Sequence, residues 1–315
     1  MRDAVIRRNG ALLAAASALA VFVAATAHAC SICRCGDPTF NALGTAGYAS
    51  PGFRPAVDWE RFDKDEGDPG QAAESQVENR VTALFSCGVS DAFALFARVP
   101  YSVRDLTASA PSAEADKTHT SGLSDPEIYG QLRLWSSPFA GGMGRRAAVS
   151  LLGGVKTPWG RNDLRQDGER LDEHAQPGTG STDVFGSLSL LYLIDARSAL
   201  FAAAGYRHTG ENDFAYRYGE SYLGNVAYEH KLGRVFDAVC ELDFRHAAKD
   251  RTDSAGTLDG DTGGSLLYAT PRLLVDLGGG AVLRLASQIP IARDLNGAQK
   301  EKAVLNVGMT YLFSH

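Results

Sequence analysis

The sequence predicts an all-β protein, a single antiparallel transmembrane β-barrel of about twelve strands with short periplasmic turns and long extracellular loops. Three observations predict this fold. Apolar and polar side chains alternate along many segments, each long enough to cross a membrane as a tilted strand of about 9–11 residues. The connections between these segments are short and long in turn. The first residues have the features of a secretory signal peptide.

Residues 1–29 are expected to be this signal peptide. Three arginines lie within the first eight residues, the apolar stretch "ALLAAASALAVFVAATA" follows, and "AHA" at residues 27–29 fits the small-x-small cleavage pattern. Cys30 would then be the first mature residue. A cysteine in this position makes lipidation of Cys30 an alternative. Against it, Ala27 and His28 stand where lipoprotein processing favours leucine and a small residue.

The strand segments are recognised by their period of two. In "RVTALFSCGV", Val81 and Phe85 lie on one face, whereas Arg80 and Thr82 lie on the other. "DPEIYGQLRLW" and "KAVLNVGMTYLF" alternate in the same way, and no comparable helical period occurs. The predicted strands span residues 54–63, 76–89, 91–104, 122–136, 144–157, 180–194, 198–209, 215–231, 234–248, 263–277, 280–292 and 301–313.

The connections distinguish a membrane barrel from a soluble sandwich. Short turns such as "DAR", "LGR" and "LGGG" alternate with long charged links such as "RNDLRQDGERLDEHAQPGTG" and "KDRTDSAGTLDGDTGG". Tight periplasmic turns and long extracellular loops produce this alternation in outer-membrane barrels. Strands can cross hydrocarbon only as a closed barrel, because every backbone polar group must be paired there. An even strand count places both termini in the periplasm.

Aromatic residues near the ends of predicted strands suit the interfacial girdles of a barrel. They are Tyr101, Trp135, Trp159, Tyr206, Tyr228 and Tyr268. The last strand has apolar residues at alternate positions and ends with Tyr311 and Phe313, which resembles the signal read by the barrel-assembly machinery. Ser314 and His315 follow, where the common pattern ends on the aromatic residue.

Composition excludes several other classes. The formal net charge is −6 at pH 7, so there is no basic surface of the kind that binds nucleic acid. No apolar run of about 18 residues follows the N-terminal segment, which argues against membrane-spanning helices.

Four stretches resemble one known family of outer-membrane barrels, that of the MetA pathway of phenol degradation, a transporter-like group. They are "SGLSDPEIYGQLRLW", "LLGGVKTPWG", "QPGTGSTDVFGSLSLLY" and "QIPIARDLNGAQ". The resemblance runs from Ser121 to Phe313 and contains no catalytic motif. It implies a channel for small solutes, with apolar or aromatic compounds as candidates. The N-terminal cysteines are not part of the family pattern.

The sequence does not predict an enzyme. The histidines are scattered, and neither the G-x-S-x-G nor the H-E-x-x-H motif occurs. His119 and His174 lie in predicted extracellular loops, where solvated side chains are expected.

Charged residues on the polar faces of predicted strands are the candidates for lining the lumen. Such charges would select solutes by field and pore width, or would form an internal salt-bridge network. They are Arg98, Glu127, Arg133, Lys156, Glu241 and Arg245.

Cys30, Cys33 and Cys35 form a C-x₂-C-x-C motif in the segment before the first strand. Arg34 stands where haem attachment would need histidine. Three thiolates suit a soft metal ion or an incomplete four-ligand site, so a metal ion is one candidate cofactor. An oxidising periplasm favours a disulfide, which leaves an odd thiol for a partner, and lipidation of Cys30 also stays open.

The sequence thus predicts a signal peptide (1–29), a periplasmic cysteine-containing segment that could act as a plug (30–53) and an outer-membrane barrel (54–313). The leading hypothesis is a channel for small solutes, in contact with outer-membrane lipid. The alternative is a scaffold for a periplasmic redox or metal-binding partner, docked through the cysteine segment. A structural or adhesion barrel is the third.

Overall fold

The computed structural model of the protein describes residues 52–67, 73–109, 115–138 and 145–313. Sixteen strands are present in these ranges, together with one 3-10 turn at Glu173–Ala175. The strands are β1 (Gly52–Glu66), β2 (Ala73–Gly88), β3 (Phe93–Ser109), β4 (Asp116–Leu123), β5 (Glu127–Pro138), β6 (Arg145–Lys156), β7 (Arg165–Gln166), β8 (Glu169–Arg170), β9 (Asp183–Leu193), β10 (Ser198–His208), β11 (Ser221–Lys231), β12 (Phe236–Ala247), β13 (Gly264–Gly278), β14 (Ala281–Leu295), β15 (Gln299–Glu301) and β16 (Val304–Tyr311).

These strands close into an antiparallel barrel. The strands pair in the order β1, β2, β3, β5, β6, β9, β10, β11, β12, β13, β14 and β16, and β1 also pairs with β16, which removes the sheet edges. Because β4 with β5 and β15 with β16 each act as one interrupted strand, and β7 with β8 forms a separate hairpin, the barrel has twelve strands. The predicted fold is confirmed. Over the part of the chain that the structure describes, no helix has the length and apolar character needed to span a membrane.

Two predicted strand starts differ by six residues from those in the structure. The fourth strand was expected to begin at residue 122, but it begins at Asp116 and is interrupted at residues 124–126. Pro126 has no backbone N–H to donate to the ladder. The Asp125 carboxylate accepts a hydrogen bond from the Gly160 N–H, outside the strand. The eighth strand begins at Ser221 rather than at 215, since the preceding residues form a folded loop.

The two faces of the barrel have opposite character. In β2 the burial alternates residue by residue, with Arg80 and Thr82 buried and Val81 and Phe85 exposed. Among the residues that the structure describes, no second layer covers the barrel, so the buried set points into the lumen and the exposed apolar set forms the outer, lipid-facing surface. An apolar groove of about 550 Å³ on this outer surface lies over the small residues Ala202, Ala204 and Gly224.

Five of the six aromatic residues predicted to form the interfacial girdle are exposed, and their place at the membrane interface stays a prediction. Tyr101, Trp135, Trp159, Tyr206 and Tyr228 are exposed on the outer surface. Tyr268 is the exception, because it points into the barrel with 1% exposure and donates a hydrogen bond to Glu301. The position of a residue near a strand end therefore does not determine on which face of the sheet its side chain lies.

An aromatic cluster packs inside the barrel. The rings of Phe96 and Tyr129 stack with centroids 4.8 Å apart, and Phe185 meets Tyr129 edge-on at 5.9 Å. Gly154 makes room for this cluster, since a Cβ atom built there would lie 2.6 Å from the carbonyl oxygen of Ile128 and closer still to Tyr129.

We expect Gly154→Ala to lower the free energy of unfolding by about 1–3 kcal/mol, because the backbone of β5 must move to admit the methyl group. Gly153→Ala is the matched control, since its nearest neighbour would be an oxygen at 3.9 Å. Urea unfolding of both variants in lipid vesicles measures the difference. Equal unfolding of the two variants would contradict the close packing at Gly154.

Candidate functional site

Of the six predicted lumen residues, five are buried inside the barrel and Arg133 is half-buried. Arg133 donates a hydrogen bond to the carbonyl oxygen of Asp91, in the turn that joins β2 and β3. Their role in selecting solutes stays a prediction. The five buried residues are Arg98, Glu127, Lys156, Glu241 and Arg245.

A chain of paired charges runs along one wall of the lumen, near the end that carries the long loops (the loop end). Glu127 accepts hydrogen bonds from Arg98 at 2.9 Å and from Arg207 at 2.7 Å, one on each carboxylate oxygen. Arg207 also lies 3.5 Å from Asp183, which pairs with Lys156 at 2.9 Å. All five residues are at least nine-tenths buried.

Asp125 completes this chain, since its carboxylate lies 3.4 Å from the Lys156 ammonium. Three acidic and three basic side chains then alternate, so their formal charges cancel. Buried charges are tolerated when they are paired and hydrogen-bonded in this way. We call these six residues the charged chain: Arg98, Glu127, Arg207, Asp183, Lys156 and Asp125.

A second polar cluster lies on the adjoining strands β11, β12 and β13. Glu241 pairs with Arg272 at 2.8 Å, and Asn225 donates to Glu241 at 2.5 Å and to Asp243 at 2.6 Å. Thr270 donates to the other oxygen of Asp243 at 2.6 Å. Within the described ranges, no group of three or more His, Cys, Asp or Glu side chains is arranged to hold a metal ion.

The long connection between β6 and β9 folds back into the barrel. Its residues 173–176 are buried, with His174 only 3% exposed and Gln176 only 1% exposed. The expectation of a solvated His174 is therefore wrong, because it assumed that a long loop extends into water. His119 is exposed as expected, on β4, with its Nδ1 atom 2.7 Å from Asp105. We call residues 161–181 the inner segment.

The two ends of the inner segment meet at a neck that is fastened by Asp125. The Asp125 carboxylate accepts hydrogen bonds from the Gly160 N–H at 2.8 Å, the Thr179 N–H at 2.7 Å and the Thr179 hydroxyl at 2.6 Å. The two chain segments of the neck are in close contact at glycines, since a Cβ atom on Gly160 would lie 2.8 Å from the Cα atom of Gly178. Larger residues would force the two ends apart.

Three of the stretches that carry the family resemblance converge on this neck. "SGLSDPE" supplies Asp125, "TPWG" supplies Gly160, and "PGTGS" supplies Gly178 and Thr179. The fourth stretch, with Asn296 in "DLNGAQ", binds the neighbouring loop through the carbonyl oxygen of Thr262 at 2.7 Å. These motifs therefore build the connections at the loop end of the barrel.

The tip of the inner segment, Glu173–Gln176, binds the lumen wall through its carbonyl oxygens. Arg104 of β3 donates to the carbonyl oxygens of His174, at 2.8 Å, and of Gln176. Thr120 of β4 donates to that of Ala175 at 2.7 Å. Side-chain donors thus satisfy backbone groups that would otherwise be buried without partners.

The other side of the tip meets two further loops. Tyr218, in the connection between β10 and β11, donates to the carbonyl oxygen of Glu173 at 2.9 Å. The Nε2 atom of His174 lies 2.9 Å from the Tyr216 hydroxyl, which donates to Asp250 at 2.7 Å. Since β3 and β4 lie across the twelve-stranded ring from β11 and β12, the inner segment bridges the mouth of the barrel.

Glu220 organises the outer rim of the same mouth. A hydrogen bond from the Tyr206 hydroxyl, at 2.6 Å, and the charges of Arg217 and His208 lower the pKa of Glu220 below its usual value. The stabilisation that these contacts provide is lost as the pH falls through that lowered pKa. Because Glu220 is partly exposed, the contribution is small.

Sequence reasoning missed several residues of this site. Arg104, Arg207 and Asp183 occupy inward positions on their strands, so the same alternation that selected Arg98 could have selected them. Local sequence contained no signal for the contacts of His174, because its partners come from other loops.

Other predicted residues are not tested by this geometry. Cys30, Cys33 and Cys35 lie outside the described residues, and a disulfide, metal ion, lipid or partner at this motif stays a prediction. Phe313 is exposed, stacks with Phe53 at a centroid distance of 6.1 Å and meets Tyr311 edge-on at 4.6 Å. Recognition of Tyr311 and Phe313 by the assembly machinery stays a prediction.

One solved structure of another protein supports the fold. The structure is similar to an outer membrane channel from Pseudomonas putida F1, with a TM-score of 0.63 and 12% identity over 84% of this chain and 96% of the other. The translocator domain of the autotransporter NalP from Neisseria meningitidis gives a TM-score of 0.47 at 12% identity, over 88% and 94% of the two chains. The β-domain of the Bordetella autotransporter BrkA gives 0.48 at 9%, over 83% and 100%.

No protein of curated function matches the chain. A family model, described as "Putative MetA-pathway of phenol degradation", matches residues 79–288, which is more than half of the 315 residues. The matched region includes the charged chain and the inner segment. The protein therefore belongs to the family of the MetA pathway of phenol degradation, and its fold is that of an outer-membrane β-barrel.

Proposed function

We propose that the protein is a passive channel of the bacterial outer membrane for small solutes. The observation that carries this proposal is a closed twelve-stranded barrel with an apolar outer surface and a polar interior. A barrel of eight strands is just filled by its own side chains, whereas barrels of 16–18 strands enclose an aqueous channel. Twelve strands lie between these cases, so the interior has room for a narrow path.

The paired lumen charges favour uncharged solutes. An ion that enters the charged chain finds no unpaired counter-charge there to replace its lost hydration, since Glu127 and Asp183 already bind arginine or lysine. The aromatic cluster around Tyr129 adds an apolar surface within the same lumen. Apolar or aromatic compounds, as the family implies, are consistent with both features.

The proposed orientation follows from the lengths of the connections. The long loops would face the exterior, whereas the short turns and both termini would face the periplasm. The signal peptide, the cysteine segment and Phe313 would then serve export, periplasmic contacts and assembly. We propose no enzymatic activity, since the buried charges of the described lumen are paired with one another as in a structural ion-pair network.

We expect purified protein in planar lipid bilayers to form pores of small, uniform conductance with weak selectivity between K⁺ and Cl⁻. Liposome swelling should be faster with small uncharged solutes than with charged solutes of the same size. Barrel protein that is folded, as shown by heat-modifiable gel mobility, provides the sample. Folded protein without conductance and without swelling activity would contradict the proposal.

A further inference from the structure

The tip of the inner segment has the contacts of a fixed constriction. Loops between barrel strands ordinarily lie at the surface, because buried backbone groups need partners. Here four consecutive carbonyl oxygens, from Glu173 to Gln176, each accept a hydrogen bond from a side chain elsewhere in the barrel. A loop that occupied the lumen by chance would not meet donors at every position.

The donors come from opposite sides of the mouth. Arg104 and Thr120 belong to β3 and β4, whereas Tyr218 precedes β11 across the ring. The tip therefore spans the opening rather than lying against one wall. A solute on the barrel axis must pass beside it.

Arg104, which belongs to the lumen wall, holds the tip in position. Its Nη1 atom donates to two tip carbonyls, while its Nε atom lies 3.1 Å from Glu78 of β2. Glu78 also binds Arg80 at 2.8 Å, so the carboxylate is held before it orients Arg104. A planar guanidinium can serve a carboxylate and carbonyl oxygens at once, which the point charge of a lysine cannot do in the same geometry.

Hydrogen bonds within the inner segment hold its shape, as a fixed constriction requires. Gln176 closes it on itself, because its side chain accepts from the Leu164 N–H at 2.9 Å and donates to the carbonyl oxygens of Leu164 and Leu171 at 3.1 and 3.0 Å. Together with the hydrogen bonds of Asp125 at the neck, these bonds hold the inner segment in one conformation.

We propose that the tip Glu173–Gln176 is the constriction that sets the size limit of the channel, and that Arg104 is the residue that positions it. This inference rests on the proposed channel function. The geometry assigns the size limit to one loop rather than to the strand-borne charges predicted from the sequence.

The first experiment removes the constriction. Residues 163–176 are replaced by a four-residue Gly-Ser linker, which keeps Gly160, Gly178 and Thr179 of the neck. We expect the single-channel conductance to rise roughly twofold or more, because pore width limits ion flow. Larger poly(ethylene glycol) molecules should also enter the pore, as shown by their effect on conductance.

The second experiment keeps the segment and removes its positioning contact. Arg104→Gln leaves the Glu78–Arg80 pair in place but loses the charged donor to the tip. We expect a size limit between those of the wild type and the shortened variant, with more current fluctuation. Arg104→Lys should restore the limit only in part.

Deletion of residues 253–256 is the matched control, since it shortens an exposed tip at the same end of the barrel. It should leave conductance and size limit unchanged. A wild type that conducts while the shortened variant has the same conductance and size limit would overturn the constriction and leave the channel function intact. Folded wild type and shortened variant that are both silent would overturn the channel function itself.

Discussion

Glu127→Gln should convert a weakly selective lumen into an anion-selective one and destabilise the barrel. Glu127 is 1% exposed and binds Arg98 and Arg207 through its two carboxylate oxygens. A glutamine can accept from only one of them and turns its amide N–H₂ toward the other. Two buried guanidinium groups then share one neutral acceptor, so the lumen gains a net positive charge.

Breaking a buried ion pair by removing one partner typically costs about 3–5 kcal/mol, and we expect a loss of this size in the free energy of unfolding. Reversal potentials in a KCl gradient measure the selectivity, and urea unfolding in lipid vesicles measures the stability. Glu211→Gln is the control, because it removes the same charge from an exposed loop position. If Glu127→Gln and Glu211→Gln behave alike in both measurements, the charged chain does not determine the field in the lumen.

Asp125→Ala should release the inner segment at its neck. The substitution removes the acceptor for the N–H groups of Gly160 and Thr179, and it removes one of the two carboxylates that pair with Lys156. Buried donors without partners and a weakened ion pair together cost on the order of 3–5 kcal/mol. Trypsin should then cleave faster after Arg165 or Arg170, which lie in the small hairpin of the inner segment.

Asp253→Ala provides a matched comparison. Asp253 also accepts from the N–H and hydroxyl of a threonine, Thr257, at 2.9 and 2.6 Å, but it lies exposed on another loop. These bonds lower the pKa of Asp253, yet their loss at the surface should scarcely change unfolding. Equal trypsin sensitivity of the inner segment in the two variants would show that Asp125 does not hold the neck.

Glu127→Gln and Asp125→Ala separate two properties of one site. Glu127 lies between Arg98 and Arg207 in the charged chain, away from the neck, so its substitution changes charge with the inner segment still fastened. Asp125 lies at the end of the chain and at the neck, so its substitution changes the position of the segment as well. We therefore expect Glu127→Gln to change the ion selectivity and Asp125→Ala to change the conductance.

The alternation of side chains determined the barrel and most of its lumen. Period-two patterning is local, since neighbouring residues on a strand must point to opposite faces. For this reason the sequence alone predicted twelve strands and placed Arg98, Lys156 and Glu241 inside. The alternation of connection lengths likewise distinguished the two ends of the barrel.

Only the tertiary structure decided where the long loops go. Arg104 and the carbonyl oxygen of His174 are 70 positions apart, and Asp125 and Thr179 are 54 apart. A composition rich in charge and glycine is the same for a loop that extends into water and for one that folds inward. Burial of His174 depends on donors supplied by strands and loops distant in the chain, and such contacts exist only once the barrel has closed.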